Sequence, residues 1–81
     1  MTENIQSVIF NKEKWTTDHA EGWLRKHGYK VSFYRKKVDI TTNYYRYRQI
    51  APHKFKNYYI KMLDGKNKGI GLVIGLTGAR L

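Results

Sequence analysis

The hydrophobic period of this chain changes once, at Gly28, and that single change limits the folds open to it. Upstream, Ala20, Trp23, Leu24 and His27 recur at i, i+3, i+4 and i+7, which is one face of a helix. Thr16 is a good N-cap, and Asp18 and Glu21 fall in the first turn, where the helix dipole favours acid. Arg25, Lys26 and His27 fall in the last turn, where it favours base, and Gly28 supplies a left-handed stop. Trp15, just before the cap, is placed to fold back on the helix as a hydrophobic staple. Gly22 costs about 1 kcal/mol in a helix interior, which points to close packing at that turn or a frayed middle.

Downstream the period is two. Tyr29, Val31 and Phe33 alternate with Lys30, Ser32 and Tyr34, and Val38, Ile40 and Thr42 alternate with Asp39 and Thr41. Tyr44–Ile50 reads as a strand closed by Ala51-Pro52, because proline cannot donate to a ladder. Tyr58–Leu63 and Ile70–Leu76 read as a hairpin around the turn formers of Asp64–Gly69. Ahead of the helix, Ser7–Phe10 is a short apolar run, a strand or an extended lead-in. The expected order is β-α-β-β-β-β in one domain spanning residues 1–81. The expected fold class is α+β, one helix packed on one face of a small, twisted, mainly antiparallel sheet. Ala20, Trp23 and Leu24 would then meet Val31, Phe33, Ile60, Ile70, Leu72 and Ile74.

Charge separates the two parts of the chain. Residues 1–28 carry four bases and four acids, whereas residues 29–81 carry 12 Lys/Arg against Asp39 and Asp64, the whole +10 excess. Such a domain is steered towards polyanions, and nucleic acid is the first candidate, with an anionic membrane or an acidic protein partner behind it. A merely soluble surface is the plain competing explanation. Zero cysteine excludes disulfide staples, thiol nucleophiles and Cys-type zinc sites, and fits a reducing compartment. No apolar run has membrane-helix length, the first ten residues lack signal-peptide character, and no membrane partner is expected.

The richest run is Tyr44-Tyr45-Arg46-Tyr47-Arg48-Gln49. In a strand, Tyr44, Arg46 and Arg48 point one way and Tyr45, Tyr47 and Gln49 the other. If Tyr45, Tyr47, Ile60 and Met62 face the helix, the open face shows Tyr44, Arg46, Arg48, Tyr59 and Lys61. Guanidinium forks beside flat rings suit phosphates and exposed bases. Equally ordinary sheets carry cross-strand tyrosine pairs and soluble arginine edges. Around this face, Arg35, Lys36, Lys37, Lys54, Lys56, Lys66 and Lys68 are expected on loops and edges as phosphate contacts without sequence choice. Asp39, the one acid amid them, is expected in a local ion pair.

No catalytic constellation is expected. His19 and His27 lie two helical turns apart and cannot share an ion, and no acidic cluster suits magnesium. The chain therefore reads as a non-enzyme without metal or other cofactor. Gly69-Ile70-Gly71 sits in a hairpin rather than between a strand and a helix, so it is no phosphate loop. Gly71 and Gly75, opposite in facing to Ile70, Leu72 and Ile74, would leave room there for a ring or a ligand backbone.

Trp15-Thr16, Ala20, Trp23-Leu24 and His27-Gly28-Tyr29, followed by Tyr45-Arg46-Tyr47-Arg48-Gln49, Pro52, Phe55, Gly69-Ile70 and Leu72–Gly75, form a further pattern. Across about residues 8–75 it resembles a small uncharacterised module of bacteriophages and of large eukaryotic DNA viruses and their virophages. Its most specific piece is the Tyr-Arg-Tyr-Arg-Gln run with the following proline. Gly22 and the basic stretch Arg35–Lys37 depart from that pattern. The resemblance implies a viral setting, in the infected cell's cytoplasm or nucleus or in the virion, and brings no catalytic residues. Two functions are expected to compete: nucleic-acid binding through phosphate contacts and stacking, with little sequence specificity, and a structural module docking on a virion or capsid-maturation protein. Exposed basic and aromatic residues together favour the first; a contiguous exposed apolar patch would favour the second.

Overall fold

The computed structural model describes residues 3–32, 38–50 and 57–76. The elements run β1 (Glu3–Asn11), α1 (Thr17–Lys26), β2 (Asp39–Ile40), β3 (Tyr44–Arg48), β4 (Asn57–Met62) and β5 (Ile70–Leu76), with a 3-10 turn at Gly65–Asn67. The strands form one sheet in the order β2-β3-β1-β5-β4, every neighbouring pair antiparallel. The helix packs on one face of it, and the fold is α+β.

The helix starts and stops where its capping residues dictate. Thr16 Oγ1 accepts the His19 N–H at 3.2 Å, and Gly28 takes φ +78° just past the C-cap, His27. Gly22 has no close packing to explain it, since a Cβ there would meet nothing within 4 Å. Trp15 packs against the core cluster that holds Ala20 and Leu24 of the helix. Its ring meets Phe10 edge-on at 5.4 Å, and its indole N–H donates to the Lys68 carbonyl at 2.9 Å. Trp23 similarly donates to Asn67 Oδ1 at 2.9 Å, so two tryptophans tie the β4–β5 loop to the helix layer.

The core is the seam between α1 and the three middle strands. Val8, Phe10, Ala20, Leu24, Tyr47 and Ile70 are fully buried there. Each of the larger ones is worth about 1.5–3 kcal/mol of burial. Trp23 is only partly buried and closes the edge of the seam, stacked on His27 at 4.0 Å and on Tyr29 at 5.7 Å.

Three sequence expectations need correction and one is extended: the Ser7–Phe10 run is a strand, part of a nine-residue one at the centre of the sheet. Val8 and Phe10 face the helix and Ile9 the other side, and all three are buried in this central strand. Tyr29–Ser32 is not a strand; the Gln49 side chain mimics a ladder there, accepting the Lys30 N–H at 2.7 Å and donating to its carbonyl at 2.8 Å. Ile60 does not pack under the helix, because β4 is an edge strand beyond it and Ile60 is exposed. Gly71 leaves no room for a ligand: a Cβ there would lie 2.8 Å from Met62 Sδ and 2.9 Å from Ile9 Cγ1, which already occupy the space. Phe33, Pro52 and Phe55 lie outside the described residues.

Candidate nucleic-acid interface

Register assigns each strand residue to a face, because directly paired residues point the same way. Val8 pairs with Tyr47 and Leu72, and Phe10 with Tyr45 and Ile70, which fixes the helix side. Ser7, Ile9 and Asn11 pair with Arg48, Arg46 and Tyr44 on the open side. The expected trio Tyr44, Arg46 and Arg48 is therefore brought together on the open face, along β3.

Tyr59 and Lys61 are not part of it. They pair with Ile74 and Leu72, helix-side residues, and it is Tyr58, Ile60 and Met62 that share the open side. The expected phase of β4 is thus inverted. Among the described residues the expected inward set of Tyr58, Ile60 and Met62 is exposed, and pairing with β5 decides the phase. The open face grades from Asp39, Tyr44, Arg46 and Arg48 at one end to Val73, Tyr58, Ile60 and Met62 at the other.

The two arginines stand in different electrostatic circumstances. Arg46 donates from Nε to Ser7 Oγ at 3.0 Å and from Nη2 to Gln6 Oε1 at 2.7 Å. Both partners are neutral, so these bonds fix the guanidinium without cancelling its charge. Gln6 can do this because it is the extra residue of a bulge: Ile5 pairs with Ile74 and Ser7 with Val73, leaving Gln6 between them. It is fully buried; its Nε2 donates to the Ile50 carbonyl at 2.9 Å, and its own carbonyl accepts the Gln49 N–H at 2.7 Å. Ser7 Oγ also donates to Gln6 Oε1, completing the cradle. Arg48 instead lies with Nε 2.9 Å from Asp39 Oδ2; that N–H makes no hydrogen bond, so the contact is an ion pair. The local ion pair expected for Asp39 is present.

Tyr44 anchors the end of this ladder. Its N–H donates to Thr41 Oγ1 at 3.0 Å and its carbonyl accepts the Thr41 N–H at 2.9 Å, closing the β2–β3 turn. Beside it a cleft of about 210 Å³ is lined by Asn11, Lys12, Glu13, Thr42, Asn43 and Tyr44. The sequence reading did not single out Lys12, whose ammonium lies 5.7 Å from the centre of the Tyr45 ring. It did not single out Gln6 or Ser7 either. A buried glutamine beside a serine ahead of an apolar run is a weak signal, and their partner Arg46 is about forty residues away.

Of the expected loop cations, Lys68 is exposed on the β4–β5 loop and Lys66 lies on its 3-10 turn. The tryptophan bonds to Asn67 and Lys68 hold that loop at the helix layer, apart from the arginine ladder. Arg35, Lys36, Lys37, Lys54 and Lys56 lie outside the described residues. Among the described residues no three His, Asp or Glu side chains converge as a metal site, and no helix is long and apolar enough to cross a membrane. Comparison with protein-family models, curated proteins and solved structures finds no match for this chain.

Proposed function

We propose that this domain binds nucleic acid through phosphate contacts centred on Arg46, with DNA ahead of RNA and little sequence choice. The observation that carries the reading is the Arg46 cradle: a cation pre-positioned on an open sheet face by the neutral Gln6 and Ser7, in a chain whose charge is +10. A pre-positioned guanidinium loses little side-chain freedom on gripping a phosphate, and its planar fork suits two oxygens at once. Tyr44, two residues along the same strand, offers a ring on the same side. The separation of Tyr59 from this face narrows the stacking contribution to Tyr44. No bond-breaking chemistry and no cofactor is assigned.

A second reading, a module docking on a virion protein, draws support from one observation: Tyr58, Ile60 and Met62 form an exposed apolar row at the far end of the open face. Titration of the whole chain with single- and double-stranded oligonucleotides at several salt concentrations separates the two. Binding that weakens steadily with salt supports the nucleic-acid reading, and absence of binding at low salt leaves the docking module.

A further inference from the structure

The cleft beside Tyr44 has a lining that the phosphate contacts leave unused. It forms where two turns meet at the end of the β1–β3 ladder, residues 11–13 after β1 and residues 42–43 before β3. The Lys12 N–H donates to the Asn43 carbonyl at 3.0 Å and holds the turns together. Lys12 and Asn43 are thus a hydrogen-bonded pair. Asn11 and Tyr44, the next pair along, are of the other kind, in which side chains stand closest. Both are half-buried and on the open side. The volume, about 210 Å³, is below the roughly 300–1,000 Å³ of drug-sized sites and suits one planar ring system.

The charge of the lining does not suit phosphate. The Lys12 ammonium lies over the ring of Tyr45, which faces the helix side with Phe10. Glu13 lines the cleft, is exposed, and makes no ion pair among the described residues. A carboxylate there repels phosphate and accepts hydrogen bonds from N–H groups. The Asn11 amide is oriented by the Glu13 N–H, which donates to its Oδ1 at 2.8 Å, and its NH₂ remains a donor.

We propose that this cleft receives one unpaired base of a single-stranded nucleic acid, stacked on Tyr44, while Arg46 holds a phosphate of the same strand. The base site depends on Arg46 being the phosphate contact proposed above, and it decides which form of nucleic acid the face selects. Tyr44 and Arg46 stand two residues apart on one side of β3, about 7 Å along the strand. That is comparable to the reach from a base to the phosphate of its own nucleotide. A paired base cannot enter, because in a duplex its faces are covered by its neighbours and its edge by its partner. Guanine suits the lining best. Its N1–H and N2–H donate side by side to the two carboxylate oxygens, and its O6 accepts from an amide. Thymine, whose one N–H lies between two carbonyls, turns oxygen towards the carboxylate and fits worst.

The test uses the full chain with strands of about twenty thymidines, unmodified or carrying one central guanine, free or annealed to their complements. Binding is measured at low salt in the cold, where such duplexes stay closed. A duplex has the denser charge, yet the single strand is expected to bind at least fivefold tighter. The guanine strand is expected to bind about fivefold tighter than the all-thymine strand. Glu13→Gln should remove that preference, and comparing the two strands on one variant cancels its change in net charge. Tyr44→Leu should weaken single-strand binding about tenfold without changing the salt slope, whereas Tyr44→Phe, which keeps the ring, should bind as the unmodified chain does. Circular dichroism checks the fold of each variant. Deoxyguanosine monophosphate should bind at least a hundredfold more weakly than the guanine strand; equal affinity would make a free nucleotide the ligand and overturn the strand. A duplex bound as tightly as the single strand, a guanine preference that is absent or survives Glu13→Gln, or a silent Tyr44→Leu would each overturn the base site and leave Arg46 as a phosphate contact. No binding by any strand would overturn both.

Discussion

Arg46 and Gln6, forty residues apart in sequence, are joined by a 2.7 Å bond from Nη2 to Oε1 on the open face of the sheet. The bulge that frees the Gln6 side chain for this bond also opens its carbonyl to Gln49 and Ile50, so the end of β3 and the Arg46 guanidinium are fixed by the same residue. Arg48, on the same face, is tied to a carboxylate instead.

Asp39→Asn removes the carboxylate 2.9 Å from Arg48 Nε and frees that cation for phosphate. Affinity for a DNA oligonucleotide is expected to rise, and the slope of log affinity against log salt to steepen by up to about one. Parallel titrations of the variant and the unmodified chain check this. A weaker complex with an intact fold would show that the Asp39–Arg48 pair shapes the surface rather than masking it.

Tyr47 makes a prediction about alkaline stability. Its ring is fully buried, and its hydroxyl donates to Glu21 Oε2 at 3.4 Å. Burial first, and the Glu21 carboxylate second, push its pKa well above the ordinary value of 10.0. The folded state therefore holds the proton when the unfolded chain has lost it. The stabilisation is full below about pH 10 and is lost as pH rises beyond it. Tyr47→Phe should cost about 1 kcal/mol at neutral pH and fall less steeply than the unmodified chain in melting temperature from about pH 10 upward. Parallel falls for the two proteins would place the ionising group elsewhere.

Gly71→Ala tests how tightly the open face is filled. The new Cβ would stand 2.8 Å from Met62 Sδ and 2.9 Å from Ile9 Cγ1. Met62 Sδ belongs to a flexible chain and can give, while Ile9 is held in the central strand and is 7% exposed. The expected cost is about 1–3 kcal/mol, read from a denaturation midpoint. Met62→Ala on the same background should recover part of it. A neutral Gly71→Ala would mean that the face is looser than the contacts imply.

These residues also show what could be read from the sequence. The helix was legible to the residue, because Thr16, the charged turns and Gly28 act locally. The β4–β5 hairpin was legible for the same reason, its turn formers lying between two alternating runs. The facing of Tyr47 and Gln49 against Arg46 and Arg48 followed from alternation and is observed. The phase of β4 was not legible. Tyr58, Ile60 and Met62 are its more apolar set, and apolarity sends them inward only where a helix waits to receive them. That strand lies past the reach of α1, and the distinction is a property of strand order rather than of sequence. The central place of β1 was hidden by Gln6 and Ser7, whose polarity interrupts the run yet serves Arg46. The difference between Arg46 and Arg48 lay in partners distant along the chain.

The open face is the binding surface only if Arg46 contacts phosphate there and Lys61 does not. The direct measurement is the salt dependence of oligonucleotide binding for Arg46→Gln and Lys61→Gln, each checked for an intact fold. Arg46→Gln is expected to weaken binding and to make the slope of log affinity against log salt shallower by about one unit. Lys61→Gln, on the helix-side surface of the edge strand, should leave that slope within about half a unit of the unmodified chain. Equal losses for the two variants, or an Arg46→Gln variant with unchanged affinity and slope, would contradict the assignment of the open face as the binding surface.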